Sequence, residues 1–295
     1  MLRHSDQAEG LRRILGRQTP AVLSLVSGGS HAGKTQAAIN IAIALAQAGR
    51  NVLLLDENRG FHNVAGALGL NPEVDLLDAL SGRSGIERSL LAGPEGMMVL
   101  PAGRAAQVTE NFGERGQARL REGFARIGAA LDYILVDTLA GTTGRLLPSM
   151  DSDRQTLLVS GAWADAQADA YGMLKVLHRS RGRQPARLVV SMVRSEEEGV
   201  SVFRNIAGVA DRYLGAKLEH LGSVAHDELV RKSGRVGRAA IEMFPDAPSS
   251  RHWRQQAEKL MEWPPFQQGT GQPFSEQKRV ADRRSMPGSA VYSPV

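Results

Sequence analysis

Apolar and polar positions alternate along residues 21–262 in a way that predicts a repeating order of strands and helices. Seven short segments have strand patterns, and several of them are continuous apolar runs, which is typical of parallel strands buried on both faces of a sheet. These predicted strands cover residues 21–26, 51–56, 97–102, 133–137, 155–160, 187–193 and 218–224. Helical spacing of apolar residues predicts helices at 34–48, 114–130, 164–180, 199–214, 227–234 and 249–262. We therefore predict an α/β fold with a doubly wound, mostly parallel sheet and helices on both faces.

The two ends of the chain differ from this alternating region. Residues 5–15 have the spacing of a short amphipathic helix, which is too short to be stable alone and is expected to order on a partner. Residues 264–295 are rich in Pro, Gly, Ser and Gln, a composition that predicts disorder. The sequence thus predicts an N-terminal helix within residues 1–20, an α/β domain over residues 21–263 and a disordered tail.

The composition narrows the classes of function. The chain has 295 residues, no cysteine and a net charge of +5. The lack of cysteine excludes disulfides, thiol catalysis and Cys-ligated zinc, and it fits a reducing cytosol. Residues 1–20 carry four Arg against two acidic residues, and residues 264–295 carry four basic against two acidic residues, so each end is +2 and about +1 remains between them. This nearly neutral body argues against nucleic acid as a partner.

The hydrophobic segments are too short for a membrane-spanning helix, which needs ~18 uninterrupted apolar residues. The first 20 residues also lack an apolar run of signal-peptide length. We therefore expect a cytoplasmic protein. Residues 251–263 place Trp253, Ala257, Leu260 and Met261 near one helical face. This face fits either packing on the domain or a peripheral contact with the inner face of the plasma membrane.

A glycine-rich segment, SGGSHAGKT at residues 27–35, lies between the first predicted strand and the first predicted helix. It satisfies the Walker A pattern, in which curled backbone N–H groups and a helix N-terminus hold a phosphate. The lysine neutralises phosphate oxygens and the threonine hydroxyl ligates magnesium, so we predict Mg²⁺ with ATP or ADP as cofactors. The predicted nucleotide-binding residues of this loop are Gly28, Gly29, Ser30, His31, Ala32, Gly33, Lys34 and Thr35.

Two aspartates end predicted strands and are candidate magnesium ligands together with Thr35. Asp137 ends the apolar strand YILVD, where a Walker B carboxylate belongs. Asp56 ends NVLLLD at the same predicted edge of the sheet, where ligands bind in this architecture. The predicted metal ligands are therefore Thr35, Asp56 and Asp137.

With these residues in place, the chain resembles the MinD/ParA class of P-loop ATPases and, within it, the FlhG or FleN family of flagellar-number regulators. The resemblance covers roughly residues 5–262. Its most specific stretches are DQAEGLR (6–12), SGGSHAGKT, NVLLLDENRGFHNVAGALGLNP, ILVDTLAG, LVVSMVRSEEEG and FPDAPSSRHWRQQAEKL. DQAEGLR matches the DQAxxLR motif that separates this family from MinD and ParA proper. The resemblance implies a MinD-like fold that dimerises face to face across ATP, attaches to the membrane through a C-terminal amphipathic segment and separates after hydrolysis.

The resemblance also implies partners. Family members act on the signal-recognition-type GTPase FlhF, and in some lineages on a flagellar master transcription regulator. We expect the N-terminal helix to bind this GTPase, with Asp6 as the cap, Gln7 acting on the partner's reaction, Leu11 docking in a groove and Arg12 pairing with an acidic rim.

Four positions depart from the family's pattern. Gly29 replaces the signature lysine that reaches across the dimer, and Asn58 replaces the second Asp of the DAD run, which is assigned to the attacking water. Ser191 replaces the Asn that reads the adenine edge, and Ala225 replaces a proline near the base. A cation supplied across an interface is often worth ~10³–10⁵ in rate, and an amide cannot accept a proton. We therefore expect no intact catalytic residue. Ser191 remains one of the predicted nucleotide-binding residues.

The neighbouring Glu57 does not replace the missing carboxylate, because alternation along an extended chain points it away from Asn58. The leading expectation is an ATP-binding, MinD-like regulator of flagellar number or placement that acts on an FlhF-type GTPase with weak or no hydrolysis. The alternatives are an active MinD-type ATPase that cycles on the membrane and, less favoured, a ParA-like DNA-partition ATPase. The sequence leaves open whether ATP is hydrolysed and whether it drives formation of a homodimer.

Overall fold

An eight-stranded sheet forms the centre of the fold. The computed structural model describes residues 20–60, 63–109, 112–146, 154–181 and 186–262. The strands are β1 (Ala21–Val26), β2 (Val52–Asp56), β3 (Leu91–Ala92), β4 (Met98–Pro101), β5 (Tyr133–Asp137), β6 (Arg154–Gly161), β7 (Ala186–Val193) and β8 (Leu218–Ala225). Their order across the sheet is β3-β4-β2-β5-β1-β6-β7-β8, and every pairing is parallel except that of β3 with β4. The predicted mostly parallel, doubly wound fold is confirmed.

The helices connect the strands and cover both faces of the sheet. They are α1 (Lys34–Gln47), α2 (Val64–Ala67), α3 (Leu76–Leu80), α4 (Gly103–Gln107), α5 (Glu114–Gly128), α6 (Ala164–Arg181), α7 (Glu196–Leu214), α8 (Glu228–Arg235), α9 (Ala240–Met243) and α10 (Pro248–Met261). Short 3-10 turns lie at Ile86–Ser89 and Pro94–Gly96. One face of the sheet packs on α1 and α10, and the other packs on α5, α6 and α7.

The bounds of α7 show how local sequence defines an element. The side chain of Ser195 accepts a hydrogen bond from the main-chain nitrogen of Glu198, which caps the first turn. Three glutamates in that turn interact favourably with the positive end of the helix. Gly215 ends the helix with a left-handed φ of 58°. The helix therefore starts three residues earlier than the apolar spacing alone predicts.

The apolar face of α10 is part of the core. Trp253, Ala257 and Leu260 are each at most 3% exposed and pack in the same cluster as residues of α1. The sequence left two roles open for this helical face, packing on the domain or a peripheral membrane contact. The structure shows it packed on the domain. Within the described residues, none of the helices combines the length and the apolar character that a membrane crossing requires.

Some predicted segments lie outside the described residues. These are the N-terminal helix, with Asp6, Gln7, Leu11 and Arg12, and the tail from residue 264 onward. The elements that the sequence analysis missed are all short: β3, α2, α3, α4 and α9 have two to five residues each. A helical or strand period needs a longer segment to show itself.

Candidate nucleotide-binding site

The phosphate loop, residues 27–35, connects the end of β1 to the start of α1. β1 ends at Val26 and α1 begins at Lys34, so strand, loop and helix have the order that the Walker A pattern requires. Two loop residues have a left-handed backbone, Gly33 with φ 81° and His31 with φ 69°. Glycine adopts this conformation freely, whereas a residue with a Cβ atom loses roughly 1–2 kcal/mol. The loop therefore has the curled course of a phosphate cradle, with His31 held at an energetic cost.

Lys34 and Thr35 both contact Asp137, the last residue of β5. The Lys34 ammonium donates to Asp137 Oδ1 and to the main-chain oxygen of Thr138, and Lys34 is only 7% exposed. Thr35 Oγ1 donates to Asp137 Oδ2 at 2.7 Å. These groups meet because β1 and β5 are neighbours, with Leu25 opposite Asp137. A hydroxyl and a carboxylate side by side are ligand types that Mg²⁺ uses, and the adjacent ammonium suits a phosphate.

Asp56 and Asp137 end neighbouring strands, and two carboxylates therefore lie close together. β2 and β5 pair with Asp56 opposite Asp137. The side-chain nitrogen of Asn58 bridges them, 3.0 Å from Asp56 Oδ1 and 2.9 Å from Asp137 Oδ2. Asp56 Oδ2 accepts from the main-chain nitrogen of Val64 at 2.7 Å. Burial, and then repulsion from Asp137, raises the pKa of Asp56 to about 7. A cation bound nearby would favour the ionised form of this carboxyl group.

Glu57 points away from the carboxylate pair, as the alternation of side chains along a strand predicts. It is 2% exposed, and its Oε1 accepts hydrogen bonds from the main-chain nitrogens of Arg145 and Leu146 at 2.8 Å each. Burial raises the pKa of Glu57, and these hydrogen bonds oppose that rise. Glu57 therefore anchors the segment that follows β5 and takes no part in the carboxylate pair.

The segment after β5, residues 138–146, is also tied to the phosphate loop. Thr138 Oγ1 donates to the main-chain oxygen of Leu25 at 2.8 Å. Gly141 donates its main-chain N–H to the oxygen of Ser27 at 2.8 Å. This segment is consequently held at one side by Glu57 and at the other by the phosphate loop.

Two further departures from the family's pattern, Ser191 and Ala225, each take part in a specific contact. Ser191 is buried, and its hydroxyl donates to the main-chain oxygen of Ala32 in the phosphate loop and lies 3.2 Å from that of Ser160. Ala225 donates its main-chain N–H to His252 Nδ1 at 3.2 Å. A proline at position 225 would have no N–H to donate. Ser191 thus supports the loop, and its contact with a base stays a prediction.

Asp169 is a residue of the site that the sequence analysis missed. It lies on α6, and its main-chain oxygen would overlap a Cβ atom placed on Gly28. Its Oδ2 would overlap a Cβ atom placed on Gly29. No motif marks this aspartate, because only the packing of α6 on the phosphate loop brings it there.

The arrangement fits a nucleotide with magnesium, on the evidence of its donor set. The loop offers curled main-chain N–H groups, a buried ammonium and a hydroxyl beside a carboxylate. In the part of the chain that the structure describes, there is no cluster of three or more His, Asp or Glu residues that could hold a metal ion by themselves. Mg²⁺ commonly takes only one or two protein ligands and completes its shell with water and phosphate oxygens.

A doubly wound sheet with a phosphate loop after its first strand and an aspartate at the end of the adjacent strand defines a P-loop nucleotide-binding protein. Comparison with known proteins places it more narrowly. The chain belongs to the CobQ/CobB/MinD/ParA nucleotide binding domain family, whose model matches residues 23–239, and within it to the FlhG/FleN branch.

Three relatives illustrate this placement. Antiactivator FleN of Pseudomonas aeruginosa is 34% identical over 251 residues, which are 85% of this chain and 90% of that protein. The flagellum site-determining protein YlxH of Helicobacter pylori is 22% identical over 76% of each chain. The MinD protein of Pyrococcus horikoshii, solved with Mg-ADP, has the same fold, with a TM-score of 0.64, 21% identity, and coverage of 82% of this chain and 96% of that one.

Proposed function

We propose that this chain binds Mg-ATP or Mg-ADP at the phosphate loop and acts as a regulator of flagellar number or placement. Membership in the FlhG/FleN branch supports the regulatory role, since one relative is named an antiactivator and another determines flagellum sites. The contacts of Lys34, Thr35 and Asp137 support the nucleotide site. The proposed nucleotide contacts are residues 28–35 and Ser191, within a nucleotide-binding domain over residues 21–263.

Nucleotide binding is tested by calorimetry with Mg-ATP and Mg-ADP. Lys34→Ala removes the buried ammonium and should abolish binding of both nucleotides. Lys217→Ala, at an exposed lysine, is the matched control and should bind as the unmodified protein does. Circular dichroism checks that both variants are folded. Equal affinity in the Lys34→Ala variant would refute the proposed site.

We further propose that hydrolysis is weak or absent. The observation that carries this proposal is the position of Asn58, whose amide lies between Asp56 and Asp137 and cannot accept a proton from water. Gly29 also supports weak hydrolysis, because glycine has no cationic side chain that could reach the nucleotide of a second copy of this chain. A steady-state assay of phosphate release should stay near background with saturating Mg-ATP.

The intact Lys34, Thr35 and Asp137 favour the second candidate, an active MinD-type ATPase. That candidate requires ATP-dependent turnover, so family-like phosphate release by the unmodified protein would decide for it. Sedimentation with and without ATP tests the homodimer. We propose a cytoplasmic location, and co-sedimentation with anionic vesicles tests a peripheral membrane contact. The buried face of α10 is not proposed as the anchor for that contact.

The proposed partner is an FlhF-type GTPase, bound by the N-terminal residues Asp6, Gln7, Leu11 and Arg12. The support is the complete DQAEGLR segment, which is retained although the hydrolytic positions are replaced. A peptide of residues 1–20 should accelerate GTP turnover by the purified partner, and a Gln7→Ala peptide should not. Equal acceleration by the two peptides would refute the role proposed for Gln7. A flagellar transcription regulator is the second proposed partner, and a pull-down with each purified candidate separates them.

A further inference from the structure

The carboxylate of Asp169 lies against the first half of the phosphate loop. A Cβ atom on Gly29 would overlap Asp169 Oδ2, and one on Gly28 would overlap the main-chain oxygen of the same residue. Both glycines therefore border Asp169 directly. A side chain at position 28 would meet a main-chain oxygen of α6, which cannot move aside. A side chain at position 29 would meet an exposed carboxylate, which can.

Little positive charge offsets this carboxylate. Lys34 is the only Lys or Arg in residues 27–35, and its ammonium is engaged by Asp137 and Thr138. Among the described residues, the side chain of Asp169 makes no ion pair or hydrogen bond. Its negative charge thus adds to the local potential at a loop whose function is to hold phosphate.

We propose that Asp169 determines the phosphate preference of this site, by disfavouring nucleoside triphosphates relative to diphosphates. The inference rests on the proposed nucleotide binding and goes beyond it. A triphosphate brings one more negative charge than a diphosphate to the same cradle, so a carboxylate beside the loop repels it more strongly. The absence of a side-chain cation at Gly29 leaves this repulsion uncompensated within the loop.

The test compares the affinities for Mg-ATP and Mg-ADP by calorimetry in the full-length protein. Asp169→Asn keeps the shape of the side chain and removes its charge. We expect the ratio of ATP affinity to ADP affinity to rise roughly threefold to tenfold, the size of effect that one partly screened charge gives. Asp165→Asn, at an exposed aspartate in the first turn of the same helix, is the control and should leave the ratio unchanged.

Two further variants separate charge from packing. Asp169→Glu keeps the charge and should keep the ratio of the unmodified protein, whereas Asp169→Ser removes the charge with a smaller side chain and should reproduce the asparagine variant. If the ratio is the same in Asp169→Asn, Asp169→Ser and Asp165→Asn, the inference is wrong although nucleotide binding stands. If the unmodified protein binds neither nucleotide, the proposed function itself fails.

Discussion

Single residues that depart from the family's pattern are integrated into the hydrogen bonds of this site. The Asn58 amide bridges two carboxylates, Ser191 supports the phosphate loop, and Ala225 provides an N–H that proline lacks. The donors are an amide where the family has a carboxylate, a hydroxyl where it has an amide, and a main-chain N–H where it has proline. Each of these three replacements therefore takes part in its own local contact, and none of them supplies a base in place of the family's aspartate.

At the residue scale, Asn58→Asp should destabilise the protein. The change places a third carboxylate where an amide nitrogen now lies 2.9 Å from Asp137 Oδ2 and 3.0 Å from Asp56 Oδ1. We expect a loss of about 2 kcal/mol in the free energy of unfolding at pH 8 without divalent cations, because like charges replace two hydrogen bonds. Urea denaturation measures this loss.

Asn63→Asp is the control for this substitution. Asn63 caps α2 by accepting from the main-chain nitrogen of Gly66, and an aspartate can cap a helix equally well. Its stability should stay within about 0.5 kcal/mol of the unmodified protein. Millimolar Mg²⁺ should recover part of the loss in Asn58→Asp. An Asn58→Asp variant as stable as Asn63→Asp would contradict the bridging role of the amide.

At the scale of elements, Glu57 joins the end of β2 to the segment after β5. The sequence predicts its direction from strand alternation, but not its partners, because Arg145 and Leu146 lie 88 and 89 residues away. The same is true of Asp169 and the phosphate loop. Periodicity and motifs are local signals, and contacts between distant elements are set by packing.

Glu57→Gln should loosen residues 138–146. A glutamine oxygen at the position of Oε1 can still accept from both main-chain nitrogens, but the acceptor is uncharged and an NH₂ group replaces Oε2, which lies 3.1 Å from the Arg145 nitrogen. The two hydrogen bonds should therefore become weaker. Amide hydrogen exchange at Arg145 and Leu146 should become about tenfold faster or more. Glu73→Gln, at an exposed glutamate, should leave exchange unchanged, and unchanged exchange in both variants would argue against the anchor.

The contact between β8 and α10 should make stability depend on pH. Burial lowers the pKa of His252, whose Nδ1 must be unprotonated to accept from Ala225 N. Burial also lowers the pKa of His220 on β8. In the unfolded chain these imidazoles take up protons near pH 6.5, so the folded state loses relative stability as the pH falls below that value.

Melting temperature should therefore fall between pH 7 and pH 5. His252→Asn can still offer an acceptor to Ala225 N and cannot titrate in this range, so its melting temperature should fall less. His226→Asn, at an exposed histidine in the same region, should follow the unmodified protein. Identical pH profiles for all three proteins would show that the lowered pKa of His252 has no part in stability.

At the scale of the whole molecule, the sequence predicts the order of the main strands and helices and the place of the phosphate loop. Several of the parallel strands are nearly continuous apolar runs, and the Walker A pattern identifies the turn between the first strand and helix. The position of β5 between β1 and β2 follows only from the pairing of distant strands. It is this pairing that brings Asp56 and Asp137 together.

The last prediction concerns how much of the chain the core requires. α10 closes the core, since Trp253, Ala257 and Leu260 pack with residues of α1. A chain of residues 1–246 would lose this helix. Burying a large apolar side chain contributes roughly 1.5–3 kcal/mol, so the loss is a large part of a typical stability of about 5–15 kcal/mol. We expect this shortened chain to be unfolded.

A chain of residues 1–263 is the matched comparison, because it keeps α10 and removes only the segment from residue 264 onward. Its melting temperature should lie within about 2 °C of the full-length value, and its affinity for Mg-ADP should be unchanged. A large fall in melting temperature would show that residues 264–295 contribute to the folded domain. Cooperative unfolding of the 1–246 chain at the full-length temperature would instead show that α10 adds little to a core that α1 and the sheet already form.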